Sequence, residues 1–112
     1  MSIPVPLDRL SAEIARRAFG YLVTVGDDGV PHVVALVPVV DEEGRLRLDA
    51  GGRTRRHAVE RPGVTMVFPP APHDDHSLVV DGTATVASGD DGDLIVVPTW
   101  AVRHRPAPPV ER

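Results

Sequence analysis

Three arginines and a histidine fall within five consecutive positions of the stretch DAGGRTRRHAVERPG, residues 49–63. Gly51 and Gly52 precede them, and Pro62 and Gly63 close the stretch. Thr54 is a residue type that caps helices, and the Pro-Gly pair ends them, so the spacing predicts a helix of about seven residues opening at Thr54. Arg53, Arg55, Arg56 and His57 then lie at the positive end of the helix dipole, where each cation costs about 0.3–1 kcal/mol. An anion held by the free N–H groups of the first turn, the Thr54 hydroxyl and the guanidinium forks reverses that sign. Phosphate fits the fork geometry. The segment lacks the lysine and glycine spacing of a P-loop and is not a dinucleotide fingerprint.

Other reactive side chains are less well placed. His73, Asp74, Asp75 and His76 carry imidazole and carboxylate groups that suit divalent ions, but their spacing matches no metal motif and the prolines around them form a loop. No metal site is expected. Ser77, His57 and an aspartate do not form a nucleophile-elbow pattern, and no residue stands out as a catalytic acid or base. His32 sits on an otherwise apolar strand, and Trp100, the one tryptophan, lies near Arg103, His104 and Arg105.

The elements that must position these groups are mainly strands. The chain has 112 residues, the size of one domain, and is expected to fold as a single unit over 1–112. Leu7, Leu10, Ile14 and Ala18 recur at helical spacing, which predicts an amphipathic helix over Leu7–Arg17 in the N-terminal segment 1–17. Tyr21–Val25 and Val30–Val40 face each other across Gly26-Asp27-Asp28-Gly29, a hairpin connection. Strands are also expected at Arg45–Ala50, Val64–Phe68, Ser77–Val86 and Leu94–Val102, the fifth with Gly82 as a bulge or close-approach point. A turn over 88–93 joins the last two, and 104–112 is a Pro-rich tail.

This makes a mainly β fold: a six-stranded antiparallel split barrel of Greek-key type, with a short helix between the third and fourth strands. Residues 33–37 and 94–97 are apolar on both faces, so something must cover the outside of the barrel. A second copy is the simplest cover, and a homodimer is expected. The net charge of −4 argues against a nucleic-acid partner, and the absence of cysteine excludes disulfides, thiolate zinc sites and thiol nucleophiles. No apolar run is long enough to span a membrane, and the N-terminus does not read as a secretory leader. A cytoplasmic location is expected.

The order of these segments resembles the pyridoxamine 5'-phosphate oxidase-like family of flavin-binding split barrels, over roughly Ala18 to Val86, with weaker similarity through PTWAVRHRPAP. The motifs that carry it are Gly29, Pro31 and His32 opening the second hairpin strand, then Thr54, Arg55 and Arg56, with Pro62 and Val64 closing the helix. The resemblance implies an oxidoreductase that binds FMN, or the deazaflavin coenzyme F-420. The phosphate would lie on Arg53, Thr54, Arg55 and Arg56, and the ring along His32, Val34, Ala35 and Leu36. The family's oxidases proper carry a basic pair in the second hairpin strand. VVALVPVV has none, which argues against vitamin B6 oxidation. The same scaffold also serves a non-catalytic carrier or sensor of flavin or heme.

Overall fold

The computed structural model describes residues 1–87 and 92–109. Its elements run β1 (Ser2–Pro4), α1 (Leu10–Ala15), β2 (Gly20–Val25), β3 (Pro31–Leu36), β4 (Val39–Val40), β5 (Leu46–Leu48), α2 (Gly52–Glu60), β6 (Gly63–Phe68), β7 (Ser77–Val86) and β8 (Leu94–His104). A single 3-10 turn, Leu7–Arg9, leads into α1. All pairings are antiparallel, in the order β3-β2-β6-β7-β8-β5-β4. Strand β8 is long enough to pair along its whole length with β7 and to divide its other edge. Val96 faces Leu46 of β5, and Arg103 faces Ile3 of β1.

The sheet is a half-barrel whose concave face holds the core. Leu22, Met66, Leu78, Val80, Leu94, Val96, Leu46 and Leu48 alternate inward along their strands, and Leu10, Ile14 and Ala58 close the space from the two helices. At the β7–β8 pair the register breaks between Asp81 and Gly82. A Cβ on Gly82 would come within 2.5 Å of Val96 Cγ1 and 2.7 Å of the Val97 carbonyl oxygen, so the close approach of the two strands there requires glycine. No helix among the described residues is long and apolar enough to cross a membrane.

The hairpin forms as expected: Asp28 Oδ1 accepts the Val30 N–H, and the Gly29 N–H reaches the Gly26 carbonyl. Three expectations are corrected. The strand count is eight among the described residues, not six, because Ser2–Pro4 pairs with the end of β8 and the run 30–40 divides into β3 and β4. Pro38 lies at that division and has no N–H to continue a ladder. The N-terminal helix is shorter than expected, Leu10–Ala15. Helix α2 has nine residues and is capped by Gly51, so Thr54 lies inside it. The expected turn over 88–93 and the end of the Pro-rich tail lie partly outside the described residues.

The loop between β6 and β7 is a charged hub and not the solvated loop its composition implies. Arg17, with its side chain fully buried, donates from Nη1 to the carbonyls of Pro69 and His76, each at 3.0 Å. Asp74 accepts the His76 N–H and lies within 4.0 Å of Arg16, Arg17 and Arg103. The backbone hydrogen bond from His76 first, and the Arg103 charge after it, hold its carboxyl down to about 2. Asp75 is lowered by its hydrogen bond from Arg105. Ligand atoms of Asp74, Asp75 and His76 lie within 4.8 Å of one another, and His73 is not among them. Guanidinium groups already compensate both carboxylates, which leaves little negative charge for a divalent cation.

Candidate functional site

Helix geometry sorts the basic cluster. Thr54, His57 and Ala58 are spaced three and four apart and form the buried face of α2, which packs on β2 and β7. Arg53 and Arg56, also three apart, share the exposed side. Arg55 points to another flank, where its Nη1 lies 3.4 Å from the Gly92 carbonyl. The first intrahelical bond runs from Arg55 N to Gly51 O, so the N–H groups of residues 52–54 point out of the helix start. Arg53 and Arg55 therefore lie in the first turn at the positive end of the dipole, and Arg56 lies just past it. The dipole argument fails for His57, which is in the last turn.

Against this face stands the β2–β3 hairpin. It presents His32 from the first residues of β3, and Asp27 and Asp28 from the turn. Together with Arg53, Arg56 and His57 they enclose a cavity of about 190 Å³. Arg53 Nη2 lies 3.4 Å from His32 Nε2, and the rings of His32 and His57 lie 4.7 Å apart between centroids, tilted by 42°. His57 is 5% exposed and its Nδ1 is buried without a hydrogen-bond partner. It fits only because residue 26 is glycine: a Cβ there would stand 2.9 Å from its Nε2.

Acidic groups rim the cavity. The Asp27 carboxyl is lowered, first by a hydrogen bond shared with Glu60 and then by one from Arg61, while Asp27's hydrogen bond and charge raise Glu60. Arg61 Nη1 lies 3.3 Å from Asp27 Oδ1 and 3.6 Å from Glu60 Oε2. The turn and the end of α2 are thereby fastened together.

The structure thus unites His32, Arg53 and Arg56. Thr54 is buried on the core side of α2, and Arg55 is directed away. Val34 and Leu36 are half-buried against the core, whereas Ala35 lies on the opposite, outward face of β3. Asp27 and Asp28 enter the site from a turn that the sequence marks only as a hairpin connection, and His57 is buried rather than grouped with the cations at the helix start. The three-four spacing of Thr54, His57 and Ala58 was the signal that His57 turns inward.

No family model matches the chain. An uncharacterized protein of Mycobacterium bovis, Mb0449c, and one of Mycobacterium tuberculosis, MT0457, are each 40% identical to it over 118 residues, spanning 94% of this chain and 83% of theirs. Among solved structures it is similar to an F420 reductase, with 20% identity and a TM-score of 0.66 over 81% of this chain and 94% of that one. It is also similar to an FAD-binding protein from Mesorhizobium loti, with 13% identity and a TM-score of 0.70 over 92% and 96%. A third likeness is to a Clostridium acetobutylicum protein of the pyridoxinephosphate oxidase family, related to general stress protein 26 of B. subtilis, with 16% identity and a TM-score of 0.66 over 90% and 91%. The antiparallel half-barrel is the fold this chain shares with these solved structures, and by sequence it belongs to one family with the two mycobacterial proteins.

Proposed function

We propose that this protein is an oxidoreductase that binds FMN, or the deazaflavin F-420, as a homodimer, and that it does not oxidise pyridoxamine phosphate. The observation that carries this reading is the cavity at the start of α2, where two guanidinium groups and two imidazoles converge. The donor set fits a cofactor phosphate: Arg53 and Arg56 offer charged forks, and the imidazoles of His32 and His57 line the same cavity. The names of similar structures, an F420 reductase and an FAD-binding protein, support the same cofactor class.

Arg53, Arg56 and His32 hold the phosphate, and β3 from His32 through Val34, Ala35 and Leu36 orients the ring. A flavin or deazaflavin, when bound, supplies the two-electron chemistry; the chain supplies position, dryness and electrostatics. The outward face of β3 continues across the sheet, which gives a second copy a surface to cover.

Titrating the protein with FMN, F-420 and riboflavin, with absorbance and fluorescence as readouts, tests the reading. Saturable binding of one phosphate-bearing cofactor, at least tenfold tighter than riboflavin, is expected, followed by turnover with a reduced nicotinamide or reduced deazaflavin and an acceptor. Failure of both phosphate-bearing cofactors to bind overturns the site. Binding with no turnover overturns the enzyme and leaves a carrier.

A further inference from the structure

The charges around the cavity cancel. Arg53 and Arg56 bring two positive groups from α2, and Asp27 and Asp28 bring two carboxylates from the hairpin turn. At the rim, Arg61 offsets Glu60, 3.6 Å away. A phosphate dianion entering this cavity meets good hydrogen-bond donors but no net positive charge. Among the described residues that line it, the remaining titratable groups are the imidazoles of His32 and His57, tilted against each other.

Their surroundings fix the starting state. A guanidinium group only donates, so in the 3.4 Å contact between Arg53 Nη2 and His32 Nε2 the ring nitrogen is the acceptor. With the cavity empty, the ring faces the guanidinium groups of Arg53 and Arg56. An anion between them reverses the sign of the charge it faces. Arg53 is exposed and free to turn, whereas His57, wedged between Gly26 and His32, holds the His32 ring in place.

We propose that a phosphate dianion binds here together with one proton, taken from solvent by the histidine pair. Arg53 turns its N–H from His32 to a ligand oxygen. His32 Nε2, freed, gains the proton and donates it to the ligand as a charge-assisted hydrogen bond. No bond breaks in the ligand, and the buffer is the proton source. His32 is the contact, and His57 is a positioning residue. The inference rests on the cavity being the phosphate site and adds that its affinity is linked to protons.

Calorimetric titration at about pH 8, above the second ionisation of a phosphate ester, separates the two ideas. Inorganic phosphate and FMN are each added in two buffers of different ionisation enthalpy, to wild type and to His32→Gln. Wild type should take up close to one proton per ligand, with affinity falling by up to about tenfold per pH unit above pH 7, the slope of a one-proton linkage. His32→Gln should bind more weakly, with no uptake and a flat profile. Binding of phosphate without proton uptake, or uptake that survives in His32→Gln, overturns this inference and leaves the phosphate site standing. Uptake with inorganic phosphate but no binding of FMN or F-420 sinks the cofactor reading and keeps this one. Binding of neither ligand overturns both.

Discussion

Arg53 and Arg56 reach one cavity because three residues carry a helix nearly one full turn, while Arg55 and Thr54 are rotated off that face by about 100° per residue. Arg56→Ala should therefore weaken a phosphate-bearing cofactor by about 1.5–3 kcal/mol, one to two decades in Kd, the cost of one charge-assisted hydrogen bond. Arg55→Ala, which loses only the 3.4 Å contact to the Gly92 carbonyl, should change Kd by less than about threefold. Parallel titrations with FMN and F-420 measure both, and equal losses would show that Arg55 and not the cavity defines the site. Asp74 sets a second expectation at this scale. Its folded pKa of about 2 lies below its ordinary value of 3.8, so its ionised form stabilises the fold above about pH 4 and that contribution fades as pH falls through 2. Acid unfolding of Asp74→Asn should be flatter over that window than that of wild type, from a lower starting stability.

Elements explain why some of this was readable and some was not. The β2–β3 hairpin is written locally, in Gly26-Asp27-Asp28-Gly29 with alternating apolar residues on either side, and turn chemistry of that kind needs no distant partner. Strand β1 has no such signature, because Ser2–Pro4 becomes a strand only by pairing with residues 102–104, about a hundred positions away. The hub at Asp74 was hidden for the same reason: Arg16 and Arg17 follow α1, Arg103 comes from β8, and nothing in HDDH announces them. The misplaced cap has a different cause. Thr54 is a good capping type, but its side chain serves better as part of the buried stripe with His57 and Ala58, so the helix starts two residues earlier at Gly52. Arg17→Leu should remove the tie between α1 and the β6–β7 loop and cost about 3–5 kcal/mol, since it leaves the Pro69 and His76 carbonyls without their donor and takes one guanidinium from Asp74 and Glu13. Urea unfolding with an unchanged slope measures it. Gly82→Ala tests the strand crossing: a Cβ pressed against the Val97 carbonyl should destabilise by about 1–3 kcal/mol in the same assay.

At the scale of the molecule, the outside of the half-barrel is as telling as its core. The strand register places Val33 beside Val23, Tyr21 beside Val67, Val67 beside Val79, and Val79 beside Val102, with Trp100 next along β8. These residues form one apolar band across five strands. Trp100 is 54% exposed and Val33 58%. Phe19 packs edge-on against Tyr21, with ring centroids 5.2 Å apart, so that aromatic is already oriented. The carboxylate within the band, Asp81, takes the Thr65 hydroxyl at 2.7 Å, which offsets part of its desolvation if the band is buried. Tyr21, Val33 and Trp100 are its exposed members, and its aromatics are of the types that anchor interfaces. A second copy laid across it should bury more than about 2,000 Å² in total, as stable homodimers do. Folding is then linked to association, and the melting temperature should rise with protein concentration. Sedimentation equilibrium at micromolar concentration, with melting followed over a hundredfold dilution, should show a dimer whose Tm falls on dilution. Trp100→Glu, placing a charge in the band without touching the core, should shift the protein to monomer and weaken the concentration dependence. A wild-type chain that sediments as a monomer of 12.0 kDa, with a Tm indifferent to dilution, would mean that the band is covered by something other than this chain.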